Sequence, residues 1–318
     1  MNVGVIGVGV QGERHIRVYS ELKNVDSISI WDTDQSKMSE IIKKYDGIRI
    51  STSGDNLIRN VDAVSICTPT KFHYMSVVSA LGYDTPFLVE KPFSDTLKES
   101  EMVLNEYNNR HSTLPCGVGH IERFNPIVSE INALVRSPNI PKYIEIKRHN
   151  PSSARMSGVS NVIDDLMIHD IDILLNVFFR DCEYNINAVG NEDVCSCLFE
   201  IFTQDDTIVP AYLSASRKSA KKVRSIYVEN EQWTVEGNYI PQDVYVYRRP
   251  SKYEIVADRT YKQENVVDKI ELGKVEPLRE ELKKFLECVV TGDPFPITLE
   301  DATRNVNVCE MIKQEVNL

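Results

Sequence analysis

No apolar run in these 318 residues approaches the ~18 that a membrane-crossing helix needs, so a bilayer span is excluded. Basic charge is in deficit. Thirty-six Lys and Arg against 47 Asp and Glu leave a formal charge of −11, which argues against general binding to nucleic acid or an anionic membrane. Paired cysteines are also lacking. The seven cysteines (67, 116, 182, 195, 197, 288 and 309) are scattered and odd in number, which fits a reduced, cytoplasmic compartment better than a disulfide framework. Cys195 and Cys197 fall on one face of a strand, but no second close pair accompanies them, so no zinc or other metal site is expected. The first residues lack a basic leader and a cleavage site, and read as a strand beginning at residue 2 rather than a signal peptide. Repeats and low-complexity stretches are absent.

At ~150 residues per domain the length suggests two domains. Strand-like stretches at 3–6, 27–31, 63–66, 87–89 and 114–116 alternate with helical patterns at 12–22, 36–45, 73–81 and 97–108. That rhythm predicts βαβ units in a doubly wound parallel sheet, a Rossmann domain over residues 1–120. It breaks near Arg123–Pro126. A helix over 127–136, a strand over 142–147 and a helix over 162–179 follow. Beyond them come consecutive strands at 185–188, 196–203, 207–216, 224–229, 232–236 and 244–247, then two closing helices. The expectation for 121–318 is an α+β domain with a large, open, mostly antiparallel sheet of meander type. Its uncovered face points to a homodimer or homotetramer joined through that sheet.

Three motifs carry chemistry. Gly7-Val8-Gly9-Val10-Gln11-Gly12 follows the first strand and opens the first helix. In that setting the glycines permit a tight turn, close backbone approach to a pyrophosphate and close helix–strand packing. Asp32 stands at the end of the second strand, twenty residues past Gly12. An acid there binds ribose hydroxyls and repels a 2′-phosphate, so NAD is favoured over NADP. The bland alternative is a glycine-rich turn with no ligand.

The second motif is Glu90-Lys91-Pro92 after a buried strand, at the sheet edge where ligands bind in such folds. Lys91 there is placed to hold or share a proton, or else is a solvated lysine paired with Glu90. The third is an apolar helix with Asp165, His169 and Asp172 at spacings of four and three. A histidine beside carboxylates is a candidate general base, with a satisfied core histidine and a metal ligand as alternatives.

Together these stretches resemble the Gfo/Idh/MocA family of nicotinamide-dependent oxidoreductases. The likeness rests on Gly7–Gly12, Cys67-Thr68-Pro69-Thr70 with His73, Glu90-Lys91-Pro92, and the Asp165…His169 spacing. It implies oxidation of a sugar or cyclitol hydroxyl to a ketone. Lys91, His169 and Asp165 would be catalytic, while Thr68, Pro69, His73 and Glu90 would join the glycine loop around the cofactor. A narrower likeness, to enzymes that oxidise a UDP-sugar at C3, comes from residues 118–126, 165–172 and 221–244. It implies UDP-N-acetylglucosamine or a related nucleotide sugar as substrate, with His120, Arg123, Asn125 and Arg155 on the substrate side. Residues 150–161 depart from that pattern, keeping Arg155 and Gly158-Val159. Arg217, Lys218, Lys221, Lys222 and Arg224 are either phosphate-binding cations or a solvated strand edge. A free sugar, a sugar acid or an inositol is the alternative substrate. A non-catalytic NAD-binding regulator is more remote, because Lys91 and His169 are both present.

Overall fold

The computed structural model describes residues 1–109, 113–135, 140–151, 161–250, 253–257, 260–263 and 265–318. The alternating N-terminal pattern forms β1 (Asn2–Ile6), α1 (Val10–Glu21), β2 (Ser27–Trp31), α2 (Gln35–Lys44), β3 (Ile48–Ile50) and α3 (Gly54–Arg59). These are followed by β4 (Ala63–Ile66), α4 (His73–Gly82), β5 (Phe87–Glu90), α5 (Leu97–Asn109) and β6 (Cys116–Gly119). The six strands pair in parallel in the order β3-β2-β1-β4-β5-β6. Every residue of β4, β5 and β6 is buried, as befits parallel strands covered on both faces. Topology reverses between β1 and β4, so the loops after those strands flank the point where ligands enter such sheets.

Two short elements, β3 and α3, were not expected. The last strand lies at Cys116–Gly119 rather than at 114–116, because its Cα partners on β5 run from Phe87↔Cys116 to Glu90↔Gly119.

The later part of the chain forms α6 (Pro126–Leu134), β7 (Tyr143–His149) and a continuous helix of three pieces. The pieces are a π-helical stretch Ile163–Met167, the α-helical α7 (Ile168–Asp172) and a second π-helical stretch Ile173–Phe178. Then come β8 (Glu183–Gly190), β9 (Val194–Phe202), β10 (Ile208–Ser216), β11 (Val223–Glu229), β12 (Trp233–Asn238) and β13 (Asp243–Arg248). A small pair, β14 (Tyr253–Ala257) and β15 (Thr260–Gln263), precedes β16 (Val266–Ile270), α8 (Pro277–Thr291) and α9 (Leu299–Glu315). The large sheet runs β16-β13-β12-β11-β7-β10-β9-β8. A plain meander is not what forms. β7 sits in the middle, antiparallel to β11 and parallel to β10, so the sheet is mostly antiparallel with one parallel pair.

The two compact units are interleaved along the chain rather than divided near residue 120. One comprises residues 1–124 and 276–307, the other 125–275 and 308–318. Apolar Leu278, Leu282, Phe285 and Leu286 of α8 belong to the core of the first unit, which draws that helix to the unit with the parallel sheet. Among the described residues, no helix is long and apolar enough to cross a membrane.

A charge pair is sealed inside the second unit. Arg148, pointing inward from β7, meets Asp170 of α7 through Nε at 2.9 Å and Nη2 at 2.8 Å, and both side chains are 1% exposed. The guanidinium also lies over the Tyr239 ring. Removing one partner strands a buried charge. Asp170→Ala is expected to cost about 3–5 kcal/mol in urea unfolding. The double change Arg148→Met, Asp170→Leu should recover most of that loss. A cost below about 1 kcal/mol for Asp170→Ala would show that the pair does not hold the helix to the sheet.

Candidate functional site

Gly7 takes a left-handed turn at φ 84°, and a Cβ at Gly12 would lie 1.9 Å from the Gly7 carbonyl oxygen. A side chain is therefore strained at the first position and sterically barred at the second, and α1 packs directly on the end of β1. A Cβ at Gly9 would meet nothing within 4 Å. Gly9 is also the N-cap of α1 and supplies no side-chain cap. Asp32 backs the loop: Oδ2 accepts the Val8 backbone N–H at 2.8 Å and Oδ1 accepts that of Asp34 at 2.9 Å. An uncapped helix start, open space at Gly9 and a carboxylate with spare lone pairs suit a pyrophosphate and ribose hydroxyls.

Beside the loop lies a buried polar cluster. The Thr68 hydroxyl oxygen is buried and makes no hydrogen bond among the described residues, leaving a donor and acceptor for a ligand. The Thr68 carbonyl lies 2.7 Å from His73 Nε2, and the Pro92 carbonyl 2.8 Å from His73 Nδ1. His73 thus clamps the loop after β4 to the loop after β5. The neutral ring donates to one of these carbonyls, and the protonated ring to both. Burial lowers the His73 ring below its ordinary value, against the pull of the two carbonyls and of Glu90.

Glu90 closes β5. Its Oε1 accepts from Gln11 Nε2 at 3.2 Å and His15 Nε2 at 3.0 Å, and its Oε2 from the Lys91 backbone N–H at 3.3 Å. Burial by itself raises this carboxyl. The hydrogen bond and charge of His15, then the charges of Lys91 and His73, outweigh it and hold Glu90 below the usual carboxylate range.

In the second unit, Asp165 and His169 stand one turn apart on the broken helix that begins at residue 163. Asp165 Oδ2 accepts from Arg217 Nη2 at 3.2 Å, and the same nitrogen reaches the Asn161 carbonyl at 3.2 Å. Asn161 in turn accepts the Ile163 and Asp164 N–H groups, fixing the start of the helix. Asp172 is buried and accepts from the Asn176 amide at 3.0 Å.

The basic run divides. Arg217 turns to Asp165, Lys218 to Asp193 at 2.7 Å, Lys221 and Lys222 are exposed, and Arg224 sits across from Arg148 in the sheet register. Arg123 pairs with Asp301 at 2.9 Å. His120 is buried, with Nε2 at 3.2 Å from the Asn305 amide. Asn125 caps α6 through the Ile127 N–H and donates to the Tyr239 carbonyl. Arg155 lies outside the described residues. Among the described residues no group of three or more His, Cys, Asp or Glu is arranged to hold a metal ion.

Two participants escaped the sequence reading. His15 stands four residues after Gln11 on α1, a buried polar position among apolar neighbours, and that was its one visible signal. The pairing of Arg217 with Asp165 joins residues 52 apart and has no local signature.

The profile described as "Oxidoreductase family, NAD-binding Rossmann fold" matches residues 1–120. UDP-N-acetylglucosamine 3-dehydrogenase of Acidithiobacillus ferrooxidans is 27% identical over 297 residues, 92% of this chain and 90% of that protein. Its solved structure superposes with a TM-score of 0.83 at 25% identity, covering 99% of this chain and 97% of the other. Inositol 2-dehydrogenase of Acidothermus cellulolyticus is 26% identical over 56% of this chain and 53% of its own. Scyllo-inositol dehydrogenase of Lactobacillus casei, solved with NAD(H) and scyllo-inositol, has the same fold, with a TM-score of 0.78 at 16% identity over 100% of this chain and 97% of that one.

The His73 clamp has a pH signature. Its folded pKa is lowered, so as pH falls the unfolded chain takes up the proton first. Stability from this group is flat above about 6.5, the ordinary histidine value, and declines below it. The Glu90 contribution persists above about 4.3 and is lost only in more acid solution. Urea midpoints measured across this range should fall less steeply below about pH 6.5 for His73→Gln than for the native chain. Identical slopes would remove His73 from the acid response.

Proposed function

The chain belongs to the Gfo/Idh/MocA family of NAD-binding oxidoreductases, and on that premise we propose that it oxidises a nucleotide-sugar hydroxyl to a ketone, at C3 of UDP-N-acetylglucosamine. The observation that carries the substrate class is the extent of likeness. Similarity to the A. ferrooxidans enzyme runs through both units, over 92% of the chain, whereas the inositol dehydrogenase match spans 56%. That second match keeps inositol or a free sugar as the competing reading.

NAD supplies the hydride acceptor when bound. The loop Gly7–Gly12 and the start of α1 hold its pyrophosphate, and Asp32 holds the adenosine ribose and repels a 2′-phosphate. Thr68 and Pro69 border the nicotinamide ribose, with His73 and Glu90 fixing the loops around it. His169 accepts the proton of the reacting hydroxyl, and Lys91 is the residue that shares the proton load. Asp165, held by Arg217, orients His169. Arg123, His120 and Asn125 already bond within their own units, so they shape the substrate region rather than grip phosphate. The enzyme works in the cytoplasm, as a homodimer or homotetramer joined through the eight-stranded sheet.

Protein at substrate-like concentration, mixed with NAD and UDP-N-acetylglucosamine, should show the absorbance of reduced nicotinamide even if the equilibrium permits one turnover. No rise in protein shown to bind NAD would overturn the UDP-sugar assignment and favour inositols or free sugars. Lys91→Ala and His169→Ala should each lower turnover about 10²- to 10⁴-fold while NAD affinity barely changes. Near-native turnover in either variant would remove that residue from the mechanism.

A further inference from the structure

We propose that His15 is a positioning residue for Lys91, acting through the buried carboxylate of Glu90. His15 is 1% exposed, so it is sealed from any ligand and can reach the chemistry only through a neighbour. The neighbour is unambiguous: His15 Nε2 donates to Glu90 Oε1 at 3.0 Å. The same carboxylate takes the Gln11 amide from the first turn of α1 and the backbone N–H of Lys91. One buried acid therefore ties the cofactor loop to the lysine that follows β5, and His15 is its strongest partner.

Among the described residues, four titratable groups act on Glu90 or feel its charge. They are His15 from α1, Lys91 beyond β5, His73 from α4 and the Cys67 thiol beyond β4. Burial works against the Glu90 charge and His15 is the first of the groups that oppose it. Without His15, burial is opposed only by the charges of Lys91 and His73, and the Glu90 carboxyl is raised. A protonated carboxyl has less acceptor capacity and its new O–H must find a partner in the same crowded space. The Gln11 amide and the Lys91 N–H then lose their shared anchor, and the Lys91 side chain loses its fixed starting point.

The inference rests on the reading of Lys91 as a proton-handling residue, so one readout must be independent of turnover. Two variants separate charge and hydrogen bonding from bulk. His15→Gln keeps a donor near the Nε2 position, and His15→Leu keeps volume without one. Three quantities are measured on the full chain: NAD affinity, the pH profile of turnover with UDP-N-acetylglucosamine, and the acylation rate of Lys91 by acetic anhydride, read by peptide mass spectrometry. His15→Leu should bind NAD nearly as the native chain does, yet lose about 10- to 100-fold in turnover at neutral pH. Its rate should recover at higher pH as Glu90 ionises, and its Lys91 acylation should depart from native over the same range. His15→Gln should stay close to native in all three.

Native Lys91 acylation in His15→Leu, or equal pH-independent losses in both variants, would overturn the inference and leave His15 a packing residue. If the native chain turns over no nucleotide sugar, the substrate assignment fails, while the acylation arm still decides the role of His15. If His15→Leu does not fold, Glu90→Gln takes its place. That variant should lose turnover at every pH with no alkaline recovery, and native turnover in it would overturn the inference.

Discussion

The backbone of α1 meets the backbone of β1 at Gly12, where any side-chain carbon would lie 1.9 Å from the Gly7 carbonyl oxygen. That contact sets the position of the whole helix. It puts an uncapped helix start beside the open space at Gly9, and it sends Gln11 and His15, one turn apart, to the same carboxylate on β5. From Glu90 the constraint passes to Lys91, whose backbone N–H donates to the Glu90 carboxylate. Loop, helix and lysine are thus successive consequences of one close approach.

Each unit also keeps a paired acid in its interior, next in sequence to a residue of the proposed chemistry. Glu90 precedes Lys91, and Asp170 follows His169. Burying a carboxylate is costly unless it is paired and hydrogen-bonded. Glu90 has His15 and Gln11, and Asp170 has the fork of Arg148. Glu90 also takes the backbone N–H of Lys91, whereas Asp170 holds the Arg148 side chain of β7. Asp165 is different: it is more exposed and meets an arginine across the sheet end.

Much of this was legible in the sequence because the relevant signals are local. The strands of the first unit are short, apolar and regularly spaced, and the glycine loop, Asp32 and the Glu90-Lys91-Pro92 turn each lie within a few residues of a strand end. β6 was harder, since two of its four residues are glycine and strand preference fades there. The central place of β7 was hidden because its partners β10 and β11 come more than sixty residues later. By sequence α8 could pack on either half, because an apolar stripe does not name its partner; the stripe belongs to the first core. The basic run from Arg217 to Arg224 read as one patch because charge is visible in sequence and partners are not. Arg217 is engaged by Asp165 and Lys218 by Asp193.

Hydride departure from the sugar carbon is the step on which the proposed chemistry depends, and an isotope reads it directly. UDP-N-acetylglucosamine deuterated at C3 would be incubated with the full chain and NAD, and the reduced nucleotide examined by mass spectrometry. Deuterium carried into the reduced nicotinamide is the predicted result. Reduced nucleotide without the label, or label released to water, would contradict oxidation at that carbon.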